Sequence, residues 1–187
     1  ILNPSCFYKK FSEKQIFFNS FSEYFYLSPA YYKPNDDIYR ILKINNNEKF
    51  VILRFVSWTA NHDIGHSGLD YQTKIDLVNY LSKNYKVFIS SEAHLNDKIL
   101  SQYEIKIPPE RMHDALFFAS LLISESGTMA SEAALLGTPV VYVNSLPLMG
   151  YLKEERDNEI LFHFKNSNGI LEKIKENTTI PDYKNTI

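Results

Sequence analysis

The sequence holds a single cysteine, Cys6, so no internal disulfide framework is available, and this usage suits a reducing compartment. It has no apolar run approaching the roughly 20 residues needed to span a bilayer, and no basic stretch leading into a signal-like apolar core. A soluble, cytoplasmic chain without a transmembrane segment is the expectation. A dominant charge is missing too. Twenty Lys and Arg stand against 22 Asp and Glu, a net charge of −2, which gives no electrostatic reason to expect nucleic acid or an anionic membrane as partner. Repeats and low-complexity tracts are also absent.

At 187 residues the chain is long enough for one domain with a sizeable core. It opens at Ile1, inside sequence that reads as ordered, so it is expected to be a fragment of a longer polypeptide. A site shared between two domains would then be only half present.

Residues 1–40 carry 12 of the 27 aromatic residues without helical or alternating period. They read as short strands and loops covering a larger surface and leading into a linker, with residues 41–187 as the main domain. Pro29, Pro34 and Asn35-Asp36-Asp37 mark a turn region there. Phe50 to Val56 is apolar except for Arg54, as a central parallel strand would be. Helix 71–84, strand 86–90, a strand over Tyr103 to Ile107, helix 110–119 and strand 121–123 follow. Helix 129–136, strand 140–143, helix 151–156, strand 160–163 and helix 169–176 complete the pattern. This alternation predicts an α/β fold, a Rossmann-like three-layer α/β/α sandwich with a mostly parallel sheet. Right-handed crossovers would collect the loops after Val56, Ile107, Glu125 and Val143 along one edge.

The most informative stretch is Leu121 to Val143, which reads as strand, tight turn, helix and strand. Ser126, Gly127 and Thr128 stand where free backbone N–H groups and a helix dipole point outward, which suits an anion. Glu132 lies one turn further on the same side, so phosphate at the turn and a ribose on the carboxylate together suggest a nucleotide. The alternative is that Ser126 and Thr128 only cap the helix and Glu132 is a solvated charge. A second candidate site is the loop Ser57 to Gly68, dense in polar groups at the end of a predicted strand. His62 or Asp63 there could act on a substrate proton; the alternative is that these residues bond their own backbone in turns. His62 and His66 have no third ligand at hand, so no metal is expected. His94 and His113 read as surface or capping residues.

Ser126-Gly127-Thr128 followed by Glu132-Ala133 and Leu136-Gly137-Thr138-Pro139-Val140-Val141 resembles the nucleotide-binding signature of the C-terminal domain of GT-B glycosyltransferases and of non-hydrolysing UDP-N-acetylglucosamine 2-epimerases. Glu23-Tyr24 to Pro29, Arg54 to Trp58 and His62 to Gly65 are similar to an uncharacterised family of GT-B-like proteins of unknown function. The resemblance covers about residues 15–165 and implies one half of a GT-B fold. It puts the diphosphate of a UDP-sugar such as UDP-N-acetylglucosamine at Ser126, Gly127 and Thr128, and the ribose at Glu132. It puts the uracil at the backbone from Pro108 to Met112. Trp58, Asn61, His62 and Asp63 would face the donor sugar, with His62 as proton donor or leaving-group stabiliser, and no cofactor is required. It also implies an N-terminal Rossmann-like domain of the same polypeptide, without which this fragment would be inactive.

Where the epimerases read Ser-Gly-Gly with paired acidic residues and a basic His-Arg loop, this chain has Ser-Gly-Thr, Ser131-Glu132 and Trp58-Asn61-His62-Asp63. The departures count against epimerisation and leave a glycosyltransferase as the leading reading. A sugar-nucleotide 2-epimerase and a non-catalytic sugar-nucleotide-binding or interaction module are the alternatives.

Overall fold

The computed structural model describes residues 2–7, 10, 12–58 and 65–176. In chain order its elements are β1 (Leu2–Pro4), β2 (Ile16–Phe18), α1 (Tyr24–Leu27), α2 (Asp37–Leu42), β3 (Phe50–Phe55), α3 (Tyr71–Leu81) and β4 (Lys86–Ser91). They continue with α4 (Met112–Phe118), β5 (Leu121–Ser124), α5 (Gly127–Leu135), β6 (Val140–Val143), α6 (Gly150–Asp157), β7 (Leu161–Phe164) and α7 (Ile170–Glu176). Five strands pair in the order β4-β3-β5-β6-β7, every pair parallel. The fold is therefore Rossmann-like, a parallel sheet flanked by helices.

The period of two along each strand builds the two layers. Phe50 and Ile52 of β3 join Leu122, Val140 and Tyr142 in one buried cluster with Ala115 and Leu116 of α4, Ala130, Ala133 and Ala134 of α5, and Leu152 of α6. Val51, Leu53 and Phe55 face the other way, with Ile123, Val141 and Val143, onto Leu77, Val78 and Leu81 of α3 and Ile170 and Ile174 of α7. A strand apolar on both faces is thus stable only between two helix layers. Leu27, Ile38 and Leu42 of the N-terminal segment pack into the first cluster.

The stretch Tyr103 to Ile107 is not a strand. Leu100–Tyr103 forms a 3₁₀ turn, and among the described residues this stretch pairs with β4 through an isolated parallel bridge, Ile89 to Glu104. The Ile105 N–H reaches the Ile89 carbonyl at 2.8 Å. Pro108 and Pro109 follow at once and leave no room to extend a ladder.

Helix α5 ends as its sequence requires. Gly137 adopts φ +79°, and the N–H groups of Gly137 and Thr138 reach back 2.9 Å each to the carbonyls of Ala134 and Ala133. This returns the chain directly into β6. From β3 the chain passes to β4 on one side and then crosses to β5 on the other. The strand order reverses between β3 and β5, and ligands of open α/β sheets bind beyond the carboxyl ends of such a pair.

Candidate functional site

Arg54 and Ser124 are register partners at the carboxyl ends of β3 and β5, so they define this crevice. Above Arg54 lies a cavity of about 390 Å³ lined by Ser90, Ser91, Glu104, Ile107, Pro109, Met112 and Met129, among others. Arg54 holds its wall: Nη1 donates to Ser90 Oγ at 2.9 Å and Nη2 to Glu92 Oε1 at 2.8 Å. Its buried Nε has no partner among the described residues. An orphaned donor of this kind costs free energy unless a ligand or water completes it.

The start of α5 borders the cavity through Met129. Ser126 is its N-cap, with Oγ accepting the Met129 N–H at 3.5 Å, and Ser126 is itself fixed by Ser124, whose Oγ accepts the Ser126 N–H at 3.0 Å and donates to the Ser126 carbonyl at 2.9 Å. Thr128 is exposed at this terminus. Gly127 serves packing: an added Cβ would stand 3.3 Å from Leu152 Cδ1 and 3.4 Å from Met149 Cε and Tyr142 Oη. A side chain here would make these side-chain ends give by a few tenths of an ångström.

Glu132 shares a face of α5 with Met129, one turn on. Its side chain is only 14% exposed, so it is not a solvated surface charge. Tyr26 Oη donates to Oε1 at 2.9 Å and His113 Nε2 lies 3.2 Å from the same oxygen. Among the described residues both contacts fall on Oε1. Burial, followed by the hydrogen bond to Glu132, pushes the Tyr26 phenol well above its ordinary range, so Tyr26 stays a donor. His113 is flanked by the rings of Tyr26 and Tyr32, centroids 5.7 and 6.1 Å away. Tyr32 in turn donates to Asp114 Oδ1 at 2.7 Å, and Arg111 Nε donates to Asp114 Oδ2 at 2.6 Å. The aromatic segment and α4 together fix the surroundings of Glu132.

The loop after β3 is anchored by Glu125. Its side chain is wholly buried, Oε2 accepting the Val56 N–H and Oε1 the Leu69 N–H at 2.8 Å each, with Lys74 Nζ 3.2 Å from Oε1. Trp58 takes φ +53°, a left-handed conformation uncommon for a bulky residue, and its ring packs on buried Gly68 beside this carboxylate. The loop after β6 joins in: Asn144 Nδ2 donates to the Glu125 carbonyl at 3.2 Å, and Ser145 Oγ accepts the Ser67 N–H and contacts His66 Nδ1 at 3.0 Å each.

Of the residues singled out from the sequence, Ser126 caps α5 and Gly127, Thr128 and Glu132 lie on it, while Met112 lines the cavity together with Met129 of α5. Pro108 is exposed immediately before the cavity-lining Pro109. Trp58 lies at the anchored loop, and Asn61, His62 and Asp63 fall outside the described residues. His113, which reads from the sequence as a surface or capping residue, instead lies between two tyrosine rings and against Glu132, and Tyr26 and Glu125 carry no site signal in the sequence. Arg54 carried a signal, as the one charge interrupting an apolar strand. Among the described residues no group of three or more His, Cys, Asp or Glu is placed to hold a metal, and no helix is long and apolar enough to cross a membrane.

The parallel sheet, its switch point and the capped α5 define the class as a Rossmann-like α/β domain. The chain belongs to the family described as Protein of unknown function (DUF354), whose model matches residues 9–180. No curated protein matches it. Among solved structures, UDP-GlcNAc 2-epimerase from Neisseria meningitidis, bound to UDP-GlcNAc, is similar over 80% of this chain and 41% of its own, at 17% identity and a TM-score of 0.55. A putative UDP-N-acetylglucosamine 2-epimerase from Listeria monocytogenes is similar over 83% and 42%, at 17% identity and a TM-score of 0.49. The chain thus spans about two fifths of the length of these structures. At such identities the likeness to the first concerns the fold.

Proposed function

We propose that this chain is the donor-binding half of a UDP-sugar-dependent, glycosyltransferase-like enzyme. One observation carries the reading: the cavity meets the first turn of α5 at Met129, at the switch point of the sheet, and the largely buried carboxylate of Glu132 lies one turn further along the same helix face. The base would enter the cavity between Ile107, Pro109, Met112 and Met129. The ribose hydroxyls would donate to Glu132, and the diphosphate would take the free N–H groups of Gly127 and Thr128, where the helix dipole adds about 0.3–1 kcal/mol. Trp58, Asn61, His62 and Asp63 would face the donor sugar, His62 protonating or stabilising the leaving group. In this reading the helix terminus and backbone N–H groups neutralise the diphosphate, so no metal or cofactor is required. An N-terminal Rossmann-like domain of the same polypeptide would bring the acceptor site.

Calorimetric titration with UDP tests the site. Wild-type chain is expected to bind, and Met112→Trp, which fills the cavity, to lose at least tenfold in affinity without losing fold. Equal binding by both sinks the placement of the base. The likeness to an epimerase favours a second reading, which full-length protein in deuterated water separates. Deuterium at C2 of the sugar supports epimerisation, transfer to an added acceptor supports the transferase, and binding without either supports a non-catalytic module.

A further inference from the structure

β1 and β2 are parallel strands of three residues each, and among the described residues neither pairs with any other strand. Such a ribbon is physically incomplete. Two strands alone are marginal in water, and parallel strands belong almost entirely to sheets covered on both faces. The composition points the same way. Ile16-Phe17-Phe18 places apolar side chains on both faces of β2, as Leu121-Leu122-Ile123 does in β5, where every residue is buried. In the ribbon, by contrast, Leu2 is 67% and Ile16 63% exposed. The exposed surface continues onto α1, where Phe25 is 61% exposed with its ring 5.0 Å from that of Phe18. A contiguous apolar face with unpaired strand edges marks an interaction surface.

We propose that this face docks a second parallel α/β body of the same polypeptide, one of whose strands pairs in parallel with the free edge of the β1–β2 ribbon while its helices cover Leu2, Ile16 and Phe17. The inference rests on the two-domain reading above and specifies where and how the second domain is held. Length favours this occupant. The Neisseria epimerase shares the fold over 41% of its chain, so well over half of that chain has no counterpart here, enough for a body of this kind. The ribbon then belongs to the neighbouring sheet, while Leu27, Ile38 and Leu42 tie the connecting segment into the present core.

Hydrogen exchange of the backbone amides tests the arrangement, comparing the 187-residue chain with the polypeptide encoded by the complete reading frame. Protection of β1 and β2 in the longer protein only, with β5 equally protected in both, is the expected result. The double variant Ile16→Asp/Phe17→Asp should abolish that protection while leaving the UDP affinity of the 187-residue chain unchanged. Equal exchange of β1 and β2 in the two proteins overturns the proposal. So does a dimeric 187-residue chain, by sedimentation, whose ribbon is already protected, since a second copy would then be the occupant. Protected strands together with no UDP binding by either protein would uphold the docking surface and refute the nucleotide reading.

Discussion

Glu125 Oε1 lies 3.2 Å from Lys74 Nζ, and the carboxylate between them is removed from solvent. The same side chain accepts two backbone N–H groups from either end of the loop after β3, and Lys74 also sits 4.3 Å from the centroid of the Phe55 ring. A charge so placed must have its partners, because desolvating it alone would cost several kcal/mol.

Glu125→Ala strands the ammonium and both N–H groups, so it is expected to cost about 3–5 kcal/mol of stability, measured as a lowered urea midpoint. Lys74→Met keeps the two N–H bonds and should cost less. A loss below about 1 kcal/mol for Glu125→Ala would show that the loop is held by other contacts.

Gly68 is closed in by the same carboxylate. An added Cβ would stand 2.5 Å from Glu125 Oε1 and 2.6 Å from Trp58 Cζ2. Gly68→Ala is therefore expected to destabilise by about 1–3 kcal/mol and to shift the Trp58 emission. An unchanged spectrum with unchanged stability would contradict the packing described.

Glu155 of α6 is buried, receives the Ser131 hydroxyl at 2.5 Å on Oε1, and has no partner for Oε2 among the described residues. Burial is the main cause that pushes its carboxyl up from 4.5 to about 7. The unfolded chain loses this proton near pH 4.5 and the folded chain near 7, so the native state binds more protons in between. Stability therefore falls as pH rises through that window, by on the order of 3 kcal/mol in all. Glu155→Gln should match wild type near pH 4 and exceed it at pH 8 in urea melts; parallel pH profiles for the two proteins would refute the assignment.

Most of the sheet was legible in the sequence because apolar runs such as Phe50 to Phe55 and Val140 to Val143 leave few alternatives to a strand covered on both faces. Tyr103 to Ile107 alternates apolar and polar residues as a strand would, yet it forms none. Its state is decided by the edge of β4 and by the prolines after it, not by its own alternation. At the site, the capped turn at Ser126 was legible because capping depends on adjacent residues. The partners of Glu132 were not: Tyr26 is 106 residues away in sequence, and His113 sits on another helix. Glu125 was hidden for the same reason, since the groups it accepts belong to a loop that only the sheet brings near. Long-range pairing of polar groups leaves no periodic trace in the chain.

The most direct measurement of the central claim is a double cycle at Glu132, titrating wild type and Glu132→Ala with UDP and with 2′,3′-dideoxy-UDP. If the carboxylate holds the ribose, removing either the carboxylate or the two hydroxyls should weaken binding by about 1–3 kcal/mol, and removing both should cost no more than one alone. Losses that simply add, or affinities that do not change, would place the ribose elsewhere and contradict the account.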